Sequence, residues 1–230
     1  MKNIPVFISQ GGTATLILTE IPHRGIAYVV LRTVIPGGLS PMLQECAAFC
    51  HSCGAKLCFV SPGDTGEQLP FPHAYDIYHL RIAKSSLPIL DSPISLTPIN
   101  PDNDTIYQQI YNQCFQSVSH ALTYDRSQID RIYRCGQQAF LALTNTGTPC
   151  GIGELHENEL AAVGLLPDYR GCGMELTLSL LAHCPGPEIT LTVASDNLPA
   201  LKLYSKLGFS VCGIESKWYD MDLSHLDKTP

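Results

Sequence analysis

The sequence predicts an α/β fold on a mixed sheet, with a smaller α/β region, 1–88, ahead of a larger domain, 94–223. Three observations lead there. Short runs of β-branched and aromatic residues alternate with helical stretches along the 230 residues. Asn145-Thr-Gly147 marks a hairpin, while strand and helix follow one another from Glu159 to Leu207. Between the two regions, Ser85 to Pro93 carries two prolines and several serines and reads as a linker.

Composition narrows the function. The chain is 45% hydrophobic, enough to bury one large core or two small ones, and its formal net charge is −7. It has no dense Lys/Arg run, which argues against nucleic acid or an anionic membrane as partner. Met-Lys-Asn-Ile-Pro-Val does not begin a signal peptide, and no apolar run reaches membrane-spanning length, so the expected location is cytoplasmic. The ten cysteines are spread over both halves and read as buried or free thiols in a reducing compartment.

In the first region, 13–21 and 26–35 read as strands, linked at His23-Arg-Gly25. Ser40 precedes Pro41 and is a candidate N-cap for a helix running to Cys53-Gly54. Residues 56–61 form a strand, 61–73 a Pro/Gly-rich loop, and 74–83 alternate as a half-buried strand. Cys46, Cys50 and Cys53 share one face of the helix. That stripe serves packing against a sheet, or a metal or cluster site; packing is the simpler account, and no metal is assigned.

In the second domain, 94–99 is a strand. Asp102 or Asn103 caps a helix from 104 to 119, and a second helix spans about 128–134. Strands follow at 138–144, 150–156 and 159–166. A helix starts near Gly171 and runs to about His183, with Met174, Leu178 and Leu181 on one face. A strand at 189–194, a helix at 197–207 and strand pieces at 211–212 and 217–221 complete it. The tail after Leu223 is polar.

Chemistry concentrates between Val163 and Phe209. An apolar strand ends at Pro167, and a turn of small residues opens onto the helix near Gly171. Glycines there admit close backbone approach, and the first amides of a helix have no internal partner. With the helix dipole they suit a diphosphate. Farther on, Asn197 begins another helix, and Tyr204 lies two turns along it before Gly208 stops it.

These paired segments resemble the GCN5-related N-acetyltransferase family. The loop Arg170-Gly-Cys-Gly173-Met-Glu175 resembles the family's Arg/Gln-x-x-Gly-x-Gly/Ala motif. Asn197, Tyr204, Lys206, Gly208 and Phe209 match its closing segment. Glu175 departs from the pattern, which has Gly or Ala there, and its carboxylate would repel a diphosphate unless turned outward. The resemblance covers about 94–222 in layout, and its motifs lie in 163–209. It implies acetyl-CoA as acyl donor and a primary amine of a small molecule or peptide as acceptor; a homodimer is compatible with it. It implies that Arg170, Gly171, Cys172, Gly173, Met174 and Glu175 grip the diphosphate through their amides. Strand 159–166 would splay from 189–194, so that Val163, Gly164 and Leu165 meet the pantetheine arm. The Leu165 amide would be an oxyanion donor.

Asn197 serves as a cofactor ligand, an N-cap, or both. Tyr204 serves as general acid for the leaving thiolate, or as a core aromatic. Glu154 is the choice for general base, with His156, Glu157 and Glu159 as neighbouring alternatives. His120, Tyr124 and Asp125 fall in the loop that borders the acceptor in the family. The first region reads as a partial, non-catalytic copy of the same fold or as an unrelated α/β extension. A non-catalytic acyl-CoA-binding sensor is the alternative function, with Glu175 as its sign.

Overall fold

The computed structural model describes residues 6–89 and 93–223. The polar tail beyond Leu223, and residues 90–92 of the linker, lie outside the described residues. The described parts of Met1–Ile77 and Ile214–Pro230 form one compact unit, and Tyr78–Gly213 form another. Residues 78–88 therefore cluster with the larger domain, and 214–223 with the smaller region.

In the first unit, β1 (Val6–Ser9) and β2 (Gly12–Ile17) form an antiparallel hairpin, and β2 pairs antiparallel with β3 (Ile26–Val34). The strand predicted over 13–21 stops at Ile17 because α1 (Ile21–Arg24) takes its end. Pro22 suits a first helical turn and has no N–H for a ladder. Gly25, at φ 69°, ends that turn in the left-handed conformation. α2 (Leu39–Ser52) starts after Gly38 rather than Ser40. It buries Met42, Leu43, Cys46, Ala47 and Cys50 on the inner faces of β2, β3 and β4 (Leu57–Ser61), against Leu16, Val29, Leu31 and Val60.

The cysteine stripe divides. Cys46 and Cys50 are fully buried in this core, next to Cys58, whereas Cys53 is exposed at the end of the helix. Burial pushes the Cys46 thiol up to about 12, as for a small core hydrophobe.

Two long strands, β5 (His73–Ala83) and β11 (Ser210–Asp220), place residues in both units. β11 is continuous where two separate pieces were predicted. Its last residues, Tyr219 and Asp220, pair antiparallel with Val60 and Phe59 of β4.

The second unit holds β6 (Ser95–Pro98), α3 (Asp104–Phe115), α4 (Arg126–Cys135), β7 (Gln138–Leu143) and β8 (Pro149–His156). β9 (Glu159–Leu165), α5 (Gly173–Leu181), β10 (Glu188–Ala194) and α6 (Leu198–Leu207) follow. Its strands run in the order β5-β10-β9-β8-β7-β6. β6, β7, β8 and β9 are successive antiparallel neighbours, and β9 and β10 are parallel. α3 and α4 bury Tyr107, Tyr111, Ile129 and Ile132 against Leu141 and Ile152. A separate core contains α5 and α6 with Leu155, Leu160, Leu176, Leu180, Leu191 and Leu207. Gly153 is small because a Cβ there would lie 2.3 Å from the Leu180 side chain. Among the described residues, no helix is long and apolar enough to cross a membrane.

Candidate active site

A fork between two parallel strands organises the site. β9 and β10 are in register only at Thr190 and Glu159, just after Asn158 accepts the Thr190 amide at 3.0 Å. Beyond that point they part. The cause is written into the β8–β9 ladder: Glu154 faces Ala162, but the next residue, Leu155, faces Leu160. Ala161 is therefore an extra residue on β9. Such a bulge bends its strand and sharpens the local twist.

Past the bulge the ladder is regular to the end of β9. Leu166 N donates to Cys150 O at 2.9 Å. Backbone amides alternate sides along a strand. Those of Val163 and Leu165 therefore point away from β8, to the side where β10 has departed. The Gly164 amide points to β8. Gly164 is a glycine for another reason: a Cβ there would lie 2.8 Å from Cys114 Cβ and 3.2 Å from the Phe115 ring. α3 thus closes one face of the fork.

The loop after β9 makes one 3-10 turn at Pro167–Tyr169, then turns through Arg170 and Gly171, at φ 120°. α5 begins at Gly173, two residues later than the sequence suggests, with Cys172 as N-cap and no side-chain capping bond. No described backbone acceptor takes the amides of Gly171, Gly173, Met174 or Glu175. The Gly173 α-carbon faces Leu203 of α6 and Leu165 of β9. Strand end, loop and last helix therefore converge. Glu175 sits in the first turn of α5; its Oε2 is buried and accepts no hydrogen bond.

On α6, Asn197 is the N-cap, its Oδ1 accepting from the Ala200 amide at 3.3 Å. Tyr204 is 7% exposed, packed at 5.7 Å edge-on to Phe209. Burial pushes its hydroxyl above the ordinary tyrosine range. Lys206 is exposed.

The candidate bases separate. Glu154 lies within β8 rather than at its end, on the α3 side, and is 2% exposed. Its Oε1 accepts the Tyr107 hydroxyl; its Oε2 accepts Tyr124 Oη at 2.9 Å and Gln137 Nε2 at 2.8 Å. Burial raises its pKa, against the opposing pull of those donors and of the Arg131 charge. His156, Glu157 and Glu159 occupy the β8–β9 turn, at the other end of β9 from Leu165. Six residue steps of strand lead from Glu159 to Leu165, roughly 20 Å. Among the candidate bases, Glu154 alone lies beside the fork.

Tyr107 and Gln137 were not among the residues singled out from sequence. The signal for Tyr107 was its spacing with Tyr111 and Phe115, one turn apart on the buried face of α3. Tyr124 is pinned by α3: Asn112 accepts its amide at 2.7 Å, and Gln108 and Asn112 each donate to its carbonyl at 2.9 Å. Its ring stacks on Tyr111 at 3.6 Å. Asp125 is the N-cap of α4, accepting from Ser127 N and Gln128 N. His120 adopts φ 63° in the same loop.

The corresponding succession in the first unit is built differently. β3 and β4 are parallel and in register at five consecutive pairs, from Ile26 with Leu57 to Val30 with Ser61. At the start of α2, a Cβ on Gly38 would lie 2.5 Å from Gly11 O. The β1–β2 turn occupies the space before that helix.

Forked parallel strands in a mixed sheet, with a helix beginning at the fork, define the acetyltransferase type of α/β fold. Residues 105–209 match the model of the Acetyltransferase (GNAT) family. Over 74 residues, 32% of this chain, the protein is 34% identical to the peptidyl-lysine N-acetyltransferase YjaB of Escherichia coli (strain K12); the match spans half of that relative's length. Its fold is similar to a tandem GNAT protein from the clavulanic acid biosynthesis pathway, over 94% of this chain and 82% of that one, with 16% identity and a TM-score of 0.52. A GCN5-related N-acetyltransferase from Sphaerobacter thermophilus is similar over 90% of this chain and 75% of that one, with 15% identity and a TM-score of 0.55. The segment 105–209 thus matches the Acetyltransferase (GNAT) family, and the fold of the chain is that of its solved members.

Proposed function

We propose that the unit Tyr78–Gly213 moves an acetyl group from acetyl-CoA to a primary amine of a small molecule or peptide. The observation that carries this reading is the fork: β9 and β10 part after Thr190 and Glu159 and leave the Val163 and Leu165 backbone without a strand partner. An unpaired strand edge accepts an extended ligand arm as a further strand would. The amides of Gly171, Gly173, Met174 and Glu175 form the adjoining anion site for the diphosphate, whereas those of Arg170 and Cys172 are already given to Pro167 O and Tyr169 O, each at 3.3 Å, within the loop. The relative named as a peptidyl-lysine N-acetyltransferase supports a lysine side chain as one acceptor to test.

In this reading the amine nitrogen attacks the thioester carbonyl, a C–N bond forms, and the C–S bond breaks. The Leu165 amide stabilises the oxyanion. Tyr204 protonates the departing thiolate. Its raised pKa keeps the hydroxyl protonated at neutral pH, as an acid requires. Asn197 keeps its capping oxygen bond and offers its amide nitrogen to the arm. Glu154 takes the amine proton. In the first unit, the five-pair ladder of β3 and β4 leaves no such edge, which supports a non-catalytic role for that half.

The test is release of free thiol from acetyl-CoA across amino acids, polyamines, aminoglycosides and lysine peptides. Tyr204→Phe should lower kcat at least about tenfold while the CoA dissociation constant stays within about twofold. Full activity in that variant excludes the acid role. No thiol release with any amine, alongside tight CoA binding, would favour the sensor instead.

A further inference from the structure

Glu154 is 2% exposed, so an acceptor amine cannot touch it directly. Three side chains hydrogen-bond it. Tyr107 is fully buried. Gln137 is an amide, which neither gains nor loses a proton at working pH. Tyr124 is the remaining one: the residue is half-buried, and its hydroxyl lies 2.9 Å from Glu154 Oε2.

Its loop is also in the right place. The segment between α3 and α4 bonds β8 through Tyr124 to Glu154, and bonds the turn that follows β10 through Ser119 to Asp196. β9 lies between β8 and β10. The loop therefore crosses over β9 at the fork, on the face where α3 meets Gly164.

We propose that Tyr124 relays the acceptor's proton to Glu154. This rests on the acetyltransferase reading above. As the C–N bond forms, the amine nitrogen sheds a proton to Tyr124 Oη, and the Tyr124 proton passes to Glu154 Oε2. The phenol ends as it began, and Glu154 ends protonated. The proton that Tyr204 gives to the thiolate balances the one that Glu154 gains; solvent resets both groups after product release. Tyr124 never has to ionise, consistent with a pKa that burial and the neighbouring Glu154 charge hold above the ordinary range. The titratable groups facing this pair are Tyr107 and Tyr111 from α3 and Arg131 from α4.

The experiment compares Tyr124→Phe, Glu154→Gln, the double variant and Tyr107→Phe, using the best amine from the acceptor screen. Tyr124→Phe keeps the ring on Tyr111 and removes only the relay oxygen. It should lower kcat about 10- to 100-fold with the acetyl-CoA KM within about twofold. Tyr124→Phe and Glu154→Gln should both flatten the rise of rate with pH, and the double variant should be no slower than either alone. Tyr107→Phe removes an equivalent hydrogen bond from a sealed position and should keep the rise. An unchanged rate and pH profile in Tyr124→Phe overturns the relay alone. So does multiplication of the two defects, or identical behaviour of Tyr107→Phe and Tyr124→Phe. A wild-type protein that acetylates no amine overturns the acetyltransferase reading, and the relay with it.

Discussion

Glu175→Ala should both stabilise the protein and tighten CoA binding. The carboxylate stands in the first turn of α5, where the helix dipole favours an anion by about 0.3–1 kcal/mol. Against that, Glu175 Oε2 is buried and unpaired, which costs about 1–3 kcal/mol, more where charge is involved. The burial cost wins, and removing the side chain should gain about 1–2 kcal/mol. For a chain of this size that is about 2–8 °C in Tm. The ligand effect has a separate origin. At an effective dielectric of about 20, two like unit charges about 6 Å apart repel by about 3 kcal/mol before salt screening, which sets the scale for a carboxylate in this loop. Half of that repulsion is about tenfold in affinity. Differential scanning calorimetry reads the first quantity and titration calorimetry with CoA the second. Glu175→Gln separates the two: it removes the charge but leaves a polar atom without a partner, so affinity should rise with little gain in Tm. A fall in Tm above about 2 °C in the alanine variant, with CoA affinity unchanged in both variants, would refute the reasoning.

Two further outcomes follow from the β8–β9 ladder and its buried acid. Gly151→Ala would put a Cβ 2.4 Å from the Gly164 carbonyl oxygen, a backbone atom that cannot swing aside. Urea unfolding should show a loss of about 1–3 kcal/mol, and a variant as stable as wild type would show that the two strands can separate freely. Glu154 holds its proton more tightly folded than unfolded, because burial raises its pKa. Its contribution therefore favours the folded state at low pH. That contribution is lost as pH climbs from the ordinary carboxylate range through the raised folded value. Glu154→Gln has no such slope, so its Tm relative to wild type should rise with pH over that window; a constant difference from about pH 4 to 8 would contradict the shift.

The second half of the fold was legible because its signals are local. The run from Leu165 through Gly171 to Leu181 combines a strand end, a glycine turn and an apolar helix face. Gly208 stops α6 as a left-handed residue, at φ 96°. Element ends were less legible where tertiary contacts decide them. Ser40 has the chemistry of an N-cap, but Gly38 takes the place because Gly11 presses against it and admits no side chain. β1 escaped notice because four half-exposed residues carry too little pattern. At the site, Glu154 shares parity with Ile152 along β8, which marks it as inward-facing. Its partners could not be read, since Tyr107, Tyr124 and Gln137 come from three different elements. The bulge at Ala161 has no sequence signature either. Alanine marks no special backbone there, and only the ladder with β8 reveals the extra residue.

The contrast between the two halves carries a lesson about how such chains change. β3 and β4 are laced shut along their whole shared length, and β9 and β10 are left open by one surplus residue. In the acetyltransferase reading, receptivity to an extended guest is a matter of stitch count in a single ladder, prior to any reactive side chain. A sheet of this kind could trade a gripping surface for a rigid buttress, or recover one, by gaining or losing a single position in mid-strand, with every chemical group elsewhere left alone.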